Sequence, residues 1–145
     1  MLARIPQQAG TDDKSTGGHH CRPERCRAVA AVDSGQVVNP NGLANQIEGA
    51  ILQSMSWTLY EAVTFDDTRI TSIDWQTYPI LRFNSVPDSV EVHIIDRPGQ
   101  PFLGSGETGQ GPAAASIANA IANATGKRLR DLPLTRKKIK DAIDA

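Results

Sequence analysis

The sequence predicts an α+β fold, a short mixed sheet with two to three packed helices, and three stretches carry that prediction. Leu43, Ile47, Ala50, Ile51, Met55, Leu59 and Ala62 recur at intervals of three and four, as one buried face of a long helix requires. Val90, Val92 and Ile94 alternate with Glu91 and His93, the pattern of a strand with one wet face. Ala113 to Thr125 is rich in alanine, starts through Pro112 and stops at Gly126, with Ile117 and Ile121 one turn apart. With 145 residues, 39% hydrophobic and 21% charged, the chain is sized for a single core, which argues against two domains.

The remaining elements follow in order. Residues 1–27 mix Gly, Pro, His and charge without either period and read as irregular or disordered, so the domain is drawn over 28–145. Ala28 to Val32 is a short apolar run ended by Asp33-Ser34-Gly35, a strand running into a turn. Asn39-Pro40 offers a cap and a first-turn proline for the long helix. Val63 to Phe65 and Arg69 to Trp75 flank Asp66-Asp67-Thr68 as a hairpin. The stretch RPGQPFLGSGETGQGP is too rich in Gly and Pro to be regular and needs something to hold it. A last helix starts at Thr135, with Leu134 and Ile139 placed for a hydrophobic staple.

Bulk properties exclude several function classes. A formal charge of -1 and a pI near 6.3 give no uniform field to attract nucleic acid or an anionic membrane. No apolar run approaches the roughly 20 residues that cross a bilayer, and the first residues lack a basic region followed by an apolar stretch. A soluble, cytoplasmic chain is expected, with periplasmic export open to a full-length parent. Cys21 and Cys26 lie too close together to staple a fold. With His19 and His20 they match no usual zinc-ligand spacing, so no metal site is expected. Lys127, Arg128, Arg130 and the Arg136-Lys137-Lys138 run read as solvated cations, the first group beyond a helix C-terminus. His93 falls on the polar strand face, and Trp57 and Trp75 read as core or interface anchors.

Chemistry concentrates in the loop from Gly104 to Pro112, GSGETGQGP. Gly104, Gly106, Gly109 and Gly111 keep side chains away, and the loop empties into a helix N-terminus that favours an anion or an electron-rich oxygen. A dinucleotide fingerprint would follow directly on a buried strand, but Pro98, Gly99 and Pro101 intervene. A P-loop needs Lys-Ser or Lys-Thr after its last glycine, where this chain has Gln110-Gly111-Pro112. Two readings stay open for Glu107: an idle carboxylate on an exposed turn, or a general base held by backbone against a bound group and partly desolvated. On the long helix, Gln46 and Gly49 share a face that Gln53 extends by a turn. A carboxamide beside a bare glycine can meet the edge of a flat heterocycle; the alternative is a solvated glutamine and a glycine kept for close packing.

The motifs have a recognisable order. Asp33-x-Gly35-x-x-x-Asn39-Pro40 is followed by Gln46-Ile47-Glu48-Gly49. Gly104-x-Gly106-Glu107 then precedes an Ala/Asn-rich helix and Leu132-Pro133-Leu134. This order resembles the molybdenum hydroxylases of the xanthine oxidase and aldehyde oxidoreductase family, in the C-terminal portion of the large subunit's molybdopterin-binding domain. Tyr78-Pro79-x-Leu81-Arg82, Val90-Glu91-Val92-His93 and GxGExGxGP look most like the branch formed by isoquinoline 1-oxidoreductase beta subunits. The resemblance runs from Ala28 to Ile143. It implies a molybdopterin-type molybdenum cofactor, with Gln46 and Gly49 on its pterin side and the backbone of Gly104, Ser105 and Gly106 beside the metal group. It implies that Glu107 is the catalytic base, that iron-sulfur clusters sit on a small partner subunit, and that the substrate is a small aromatic N-heterocycle or an aldehyde. Ser34 stands where many members carry cysteine, Ala50 where a second glycine is common, and Gln53-Ser54 where Gln-Gly is frequent. Family large subunits are several times longer, so the chain alone is expected to be inactive without the missing large-subunit segments. A non-catalytic assembly or binding module and an inactive truncated gene product are the alternatives, and a truncated or frame-shifted gene would explain residues 1–27.

Overall fold

The computed structural model describes residues 2–4 and 26–145. His19, His20 and Cys21 lie outside the described residues, as does most of the segment read as irregular. Within that segment Leu2–Arg4 forms a strand, β1. The other elements are β2 (Arg27–Asp33), α1 (Pro40–Leu59), β3 (Ser89–Ile95), α2 (Gln110–Thr125) and α3 (Arg136–Asp144), with a short 3-10 turn at Phe83–Ser85. β2 is the middle strand of a mixed sheet, antiparallel to β1 and parallel to β3. The parallel register runs from Arg27 opposite Ser89 to Asp33 opposite Ile95. Parallel neighbours need a crossover, and α1 with the segment 60–88 provides it.

The expected pattern of core residues holds in the sheet and the first half of α1. Ala28, Ala30 and Val32 of β2 are buried while Arg27, Ala31 and Asp33 face outward. These side chains meet Leu43, Ile47 and Ile51 of α1 and Ala113 of α2, with Val90, Val92 and Ile94 packed alongside from β3. Asn39 caps α1 by accepting from the Gly42 N-H at 2.9 Å, and Pro40 occupies the first turn. α2 ends at Gly126, whose φ of 71° is the left-handed C-cap predicted there. Thr135 caps α3 by accepting from Lys138 N.

Four expectations need correction. Met55 and Leu59 are only half-buried and Ala62 lies past the helix end, whereas Ser54, Ser56 and Thr58 are buried. The second half of α1 is enclosed by returning chain whose backbone groups need partners. Ser54 Oγ donates to Gln110 O, Leu81 N donates to Ser56 Oγ, and Leu134 N donates to Thr58 O at 2.6 Å. α2 begins at Gln110, before the predicted Ala113. The hairpin shrinks to one bridge between Phe65 and Ile70, because the residues beyond it have no strand to pair with. Trp75 there is 67% exposed, which removes its core reading, and Trp57 is half-buried. The basic run behaves as a solvated face: Lys137 pairs with Asp141, Lys138 with Asp131, and Arg128 donates to Asn119.

Two aspartates organise segment 64–78. Asp66 Oδ1 accepts from Thr68 Oγ1, Thr68 N and Arg69 N, and Asp74 Oδ1 accepts from Thr77 N, Thr77 Oγ1 and Gln76 N. These bonds hold both carboxyls below the usual aspartate range, led by the Thr68 hydroxyl for Asp66 and by the Thr77 amide for Asp74. Depressed values mean that the turns are stabilised above the ordinary aspartate pKa of about 4 and lose that support as pH falls through the lower folded values. The Thr68 and Thr77 amide resonances should therefore shift in a titration lying below about pH 4. Positions unchanged through complete protonation of both carboxylates would show that the caps do not form in solution.

Candidate functional site

The in-register parallel pairing of β2 and β3 brings the two C-terminal strand ends side by side, so the loops that follow them emerge together. Ligand crevices in sheets with parallel strands commonly form outside such ends. Here the two loops are stapled to each other. Asp33 accepts from Gly35 N through Oδ1 and pairs with Arg97 Nε at 2.6 Å through Oδ2. Asp96 Oδ1 accepts from Val37 N, and Gln36 Oε1 accepts from Gly99 N. Backbone bonds add Arg97 N to Gly35 O and Leu103 N to Ser34 O. These contacts hold the Gly/Pro-rich stretch, and neither Asp96 nor Gln36 stands out in the sequence.

Downstream, the loop lies along α1. Gln46 Nε2 donates to Gly106 O at 2.6 Å. Gly109 sits against the helix so closely that a Cβ there would lie 3.0 Å from Ala50 Cβ and 3.4 Å from Ile47 O. Gln110 Nε2 then donates to Gln53 Oε1 at 2.8 Å. Between these anchors Gln110 N donates to Glu107 O, closing the turn that carries Glu107.

A cleft of about 490 Å³ opens between the N-terminal part of α1, residues 34–39 and residues 102–106. Gln46, Ser105 and Gly106 line it, together with Gln36, Phe102 and Leu103, which sequence reasoning missed. Gly104, Gly49 and Glu107 are not on its lining. Gly49 is exposed, with nothing within 4 Å of an added Cβ, so the close packing considered for it is not present. Glu107 is exposed, so the burial expected of a base is not supplied by the described residues. Among the described residues no cluster of three or more His, Cys, Asp or Glu could hold a metal. Cys26 is half-buried, and burial followed by the nearby Asp88 pushes its thiol up, away from the thiolate that a soft metal binds.

The cleft's character decides what fits. Its lining carries no charged side chain: the carboxamides of Gln36, Asn39 and Gln46, hydroxyls and bare glycine backbone are flanked by Val37, Leu43, Phe102 and Leu103. Gln46 Oε1 makes no hydrogen bond among the described residues and can accept one. Such a surface suits a flat, neutral heterocycle with a hydrogen-bonding edge, as a pterin is.

Fold and cleft together define part of an α+β cofactor-binding domain. Residues 13–87 match the family described as the molybdopterin cofactor-binding domain, more than half of the chain, and the chain belongs to that family. The match begins at residue 13, so the family likeness reaches into the segment that periodicity left outside the domain. A nicotinate dehydrogenase subunit of Pseudomonas putida is 43% identical over 117 residues, covering 81% of this chain and 10% of that protein. The beta subunit of isoquinoline 1-oxidoreductase from Brevundimonas diminuta is 34% identical over 108 residues, covering 74% and 14%. Quinoline 2-oxidoreductase from Pseudomonas putida 86 superposes with a TM-score of 0.72 at 26% identity, over 83% of this chain and 16% of that one. The resemblance to molybdenum hydroxylases is thereby borne out, as is the short mixed sheet with packed helices. The chain spans only about a tenth to a sixth of the length of these relatives. Among the described residues no helix is long and apolar enough to cross a membrane.

Proposed function

We propose that this chain forms one wall of the molybdopterin cleft in a larger molybdenum-dependent oxidoreductase subunit that hydroxylates a small aromatic N-heterocycle. The observation that carries the reading is the Gln46 carboxamide, tied to Gly106 O across a neutral cleft with its own oxygen still open. The relative at 43% identity acts, by its name, on nicotinate, an N-heterocycle, whereas relatives named for aldehydes match at 34% and 31%, which favours the N-heterocycle.

Each of the chain's residues has a defined task in this scheme. Gln46 Oε1 accepts from an N-H on the cofactor's edge while its Nε2 keeps the loop in place. The bare backbone at Gly104 and Gly106 admits a flat group, and the Ser105 hydroxyl adds a donor at the cleft wall. Glu107 would take up a proton at its carboxylate during hydroxylation, as a general base. The cofactor, when bound, supplies the redox chemistry.

The rest of the site comes from elsewhere. Phe83 is 98% exposed and Phe65, Ile73, Trp75 and Phe102 at least two-thirds so, which is more apolar surface than a free-standing domain leaves uncovered. The remaining large-subunit segments cover it in this reading, and a small iron-sulfur subunit takes the electrons. The same surface supports a second reading, a non-catalytic assembly module.

Gln46→Ala in the assembled large subunit distinguishes the two. Losing a polar contact to the cofactor should weaken its retention roughly tenfold, read as molybdenum and pterin content after dialysis. Full cofactor content in this variant would favour the assembly module. Turnover by residues 1–145 alone would disprove the need for further segments.

A further inference from the structure

We infer that Gln110, gripped by Gln53 and Ser54 of α1, is a positioning residue that fixes where Glu107 stands relative to Gln46; the inference rests on the base role proposed for Glu107. Three bonds converge on Gln110. Its N-H closes the turn by donating to Glu107 O at 3.1 Å. Its carbonyl accepts from Ser54 Oγ at 3.0 Å, and its Nε2 donates to Gln53 Oε1 at 2.8 Å. Ser54 is fully buried, so its hydroxyl has no water to turn to.

The register along α1 turns these bonds into a ruler. Positions 46, 50, 53 and 54 fall on one helical face, about one turn apart. They meet Gly106, Gly109 and Gln110 in the same order, so the loop runs beside the helix, tied at each turn. Gly109 cannot lift or slide without changing its contact with Ala50 and Ile47. Glu107 lies between the two hydrogen-bonded ends of this span, on a loop whose Gly104 and Gly106 have open space around them. With the Gln110 end released, the turn that carries Glu107 would keep the Gln46–Gly106 bond and the packing of Gly109 but lose its hydrogen-bonded far end. A base displaced by about 1 Å from its proton donor loses on the order of a hundredfold in rate, so the anchoring of this turn controls catalysis without touching the reacting atoms.

The hydrogen-bond polarity supplies the test, beginning with the full chain by amide exchange. Ser54→Ala removes the side-chain donor that ties the Gln110 carbonyl to α1 and leaves that carbonyl only its helical partner, and the Gln110 amide should then exchange roughly tenfold faster. Gln53→Glu and Gln110→Glu singly should keep their protection, because the remaining carboxamide can donate into the new carboxylate. The double variant has two acceptors and no donor, and should lose protection as Ser54→Ala does. In the cofactor-loaded large subunit, Ser54→Ala and the double variant should lower kcat about tenfold or more with KM and molybdenum content unchanged. Wild-type exchange in Ser54→Ala and in the double variant would overturn the grip. Molybdenum content falling in step with kcat would overturn the positioning role and leave a structural one. Unchanged turnover in Glu107→Gln would instead remove the base reading and the catalytic purpose of the grip, while the exchange data still report whether the grip exists.

Discussion

Glu107→Gln should lower turnover of the assembled enzyme by about 10²- to 10⁴-fold, the range that a positioned general base contributes. The substitution keeps side-chain length and shape and removes only the ability to take up a proton. The Glu107 side chain makes no hydrogen bond among the described residues, so the variant breaks no contact that holds the loop. The turn is closed by Glu107's backbone oxygen, which the change leaves in place. Gln46, Ser105 and Gly106, which line the cleft, are likewise untouched. Molybdenum and pterin content should therefore match the wild type while kcat collapses, the signature of an interaction made only during reaction. Turnover within a factor of about two of wild type would take Glu107 out of the mechanism, since removal of a working base costs at least a hundredfold.

The exposure of Glu107 has a physical meaning for the assembly. A general base gains from partial desolvation, which raises a carboxylate's affinity for a proton. The described residues leave Glu107 exposed, and the same part of the molecule leaves Phe102 and Leu103 uncovered at the cleft rim. One covering segment would bury both. This links the proposed catalytic role to the part of its relatives that the chain spans: the loop carries the proposed base, and segments elsewhere in a large subunit would supply its surroundings.

What could be read from sequence was what local chemistry decides. The α1 cap at Asn39, the Gly126 stop of α2, the Thr135 cap and the inward alternation of β3 each depend on neighbours a few residues away. Burial of Ser54, Ser56 and Thr58 depends on Gln110, Leu81 and Leu134, which are distant in sequence, and hydropathy assigns such positions to solvent. The hairpin failed for a related reason. Its turn formed because Asp66 satisfies it locally, but its strands needed a neighbour that the described residues do not provide.

The site divides in the same way. Gln46, Ser105 and Gly106 converge on one cleft because the ordered motif blocks sit on elements that the parallel β2–β3 pairing brings together. Spacing on α1 placed Gly49 on Gln46's face but could not say how far the cleft extends along it. The loop-to-loop staples of Asp33, Gln36 and Asp96 were hidden, since each bonds backbone or side chain across a long sequence separation.

Gly35→Ala should be among the most destabilising single changes in the chain, costing about 3 kcal/mol or more. Gly35 has a φ of +71°, which for an alanine costs roughly 1–2 kcal/mol by itself. Its added Cβ would lie 2.0 Å from Pro101 O and 3.2 Å from Phe102 Cα, both backbone atoms that no rotamer change can move aside. Relief requires the 101–102 backbone to retreat, and that loosens the Leu103 N to Ser34 O and Arg97 N to Gly35 O bonds, each worth on the order of 1 kcal/mol. Phe102 and Leu103 would leave the cleft rim with it, so cofactor retention should fall together with the denaturation midpoint. Gly99→Ala is the matched control. Gly99 has a similar φ of +79°, but an added Cβ there meets nothing within 4 Å, so only the conformational cost of roughly 1–2 kcal/mol applies. The difference between the two variants isolates the contact between the DSG turn and the loop after β3. Equal losses in chemical denaturation would mean that the Gly35–Pro101 approach does not hold this loop, and the cleft would then depend on the Asp33, Gln36 and Asp96 staples and the backbone bonds beside them.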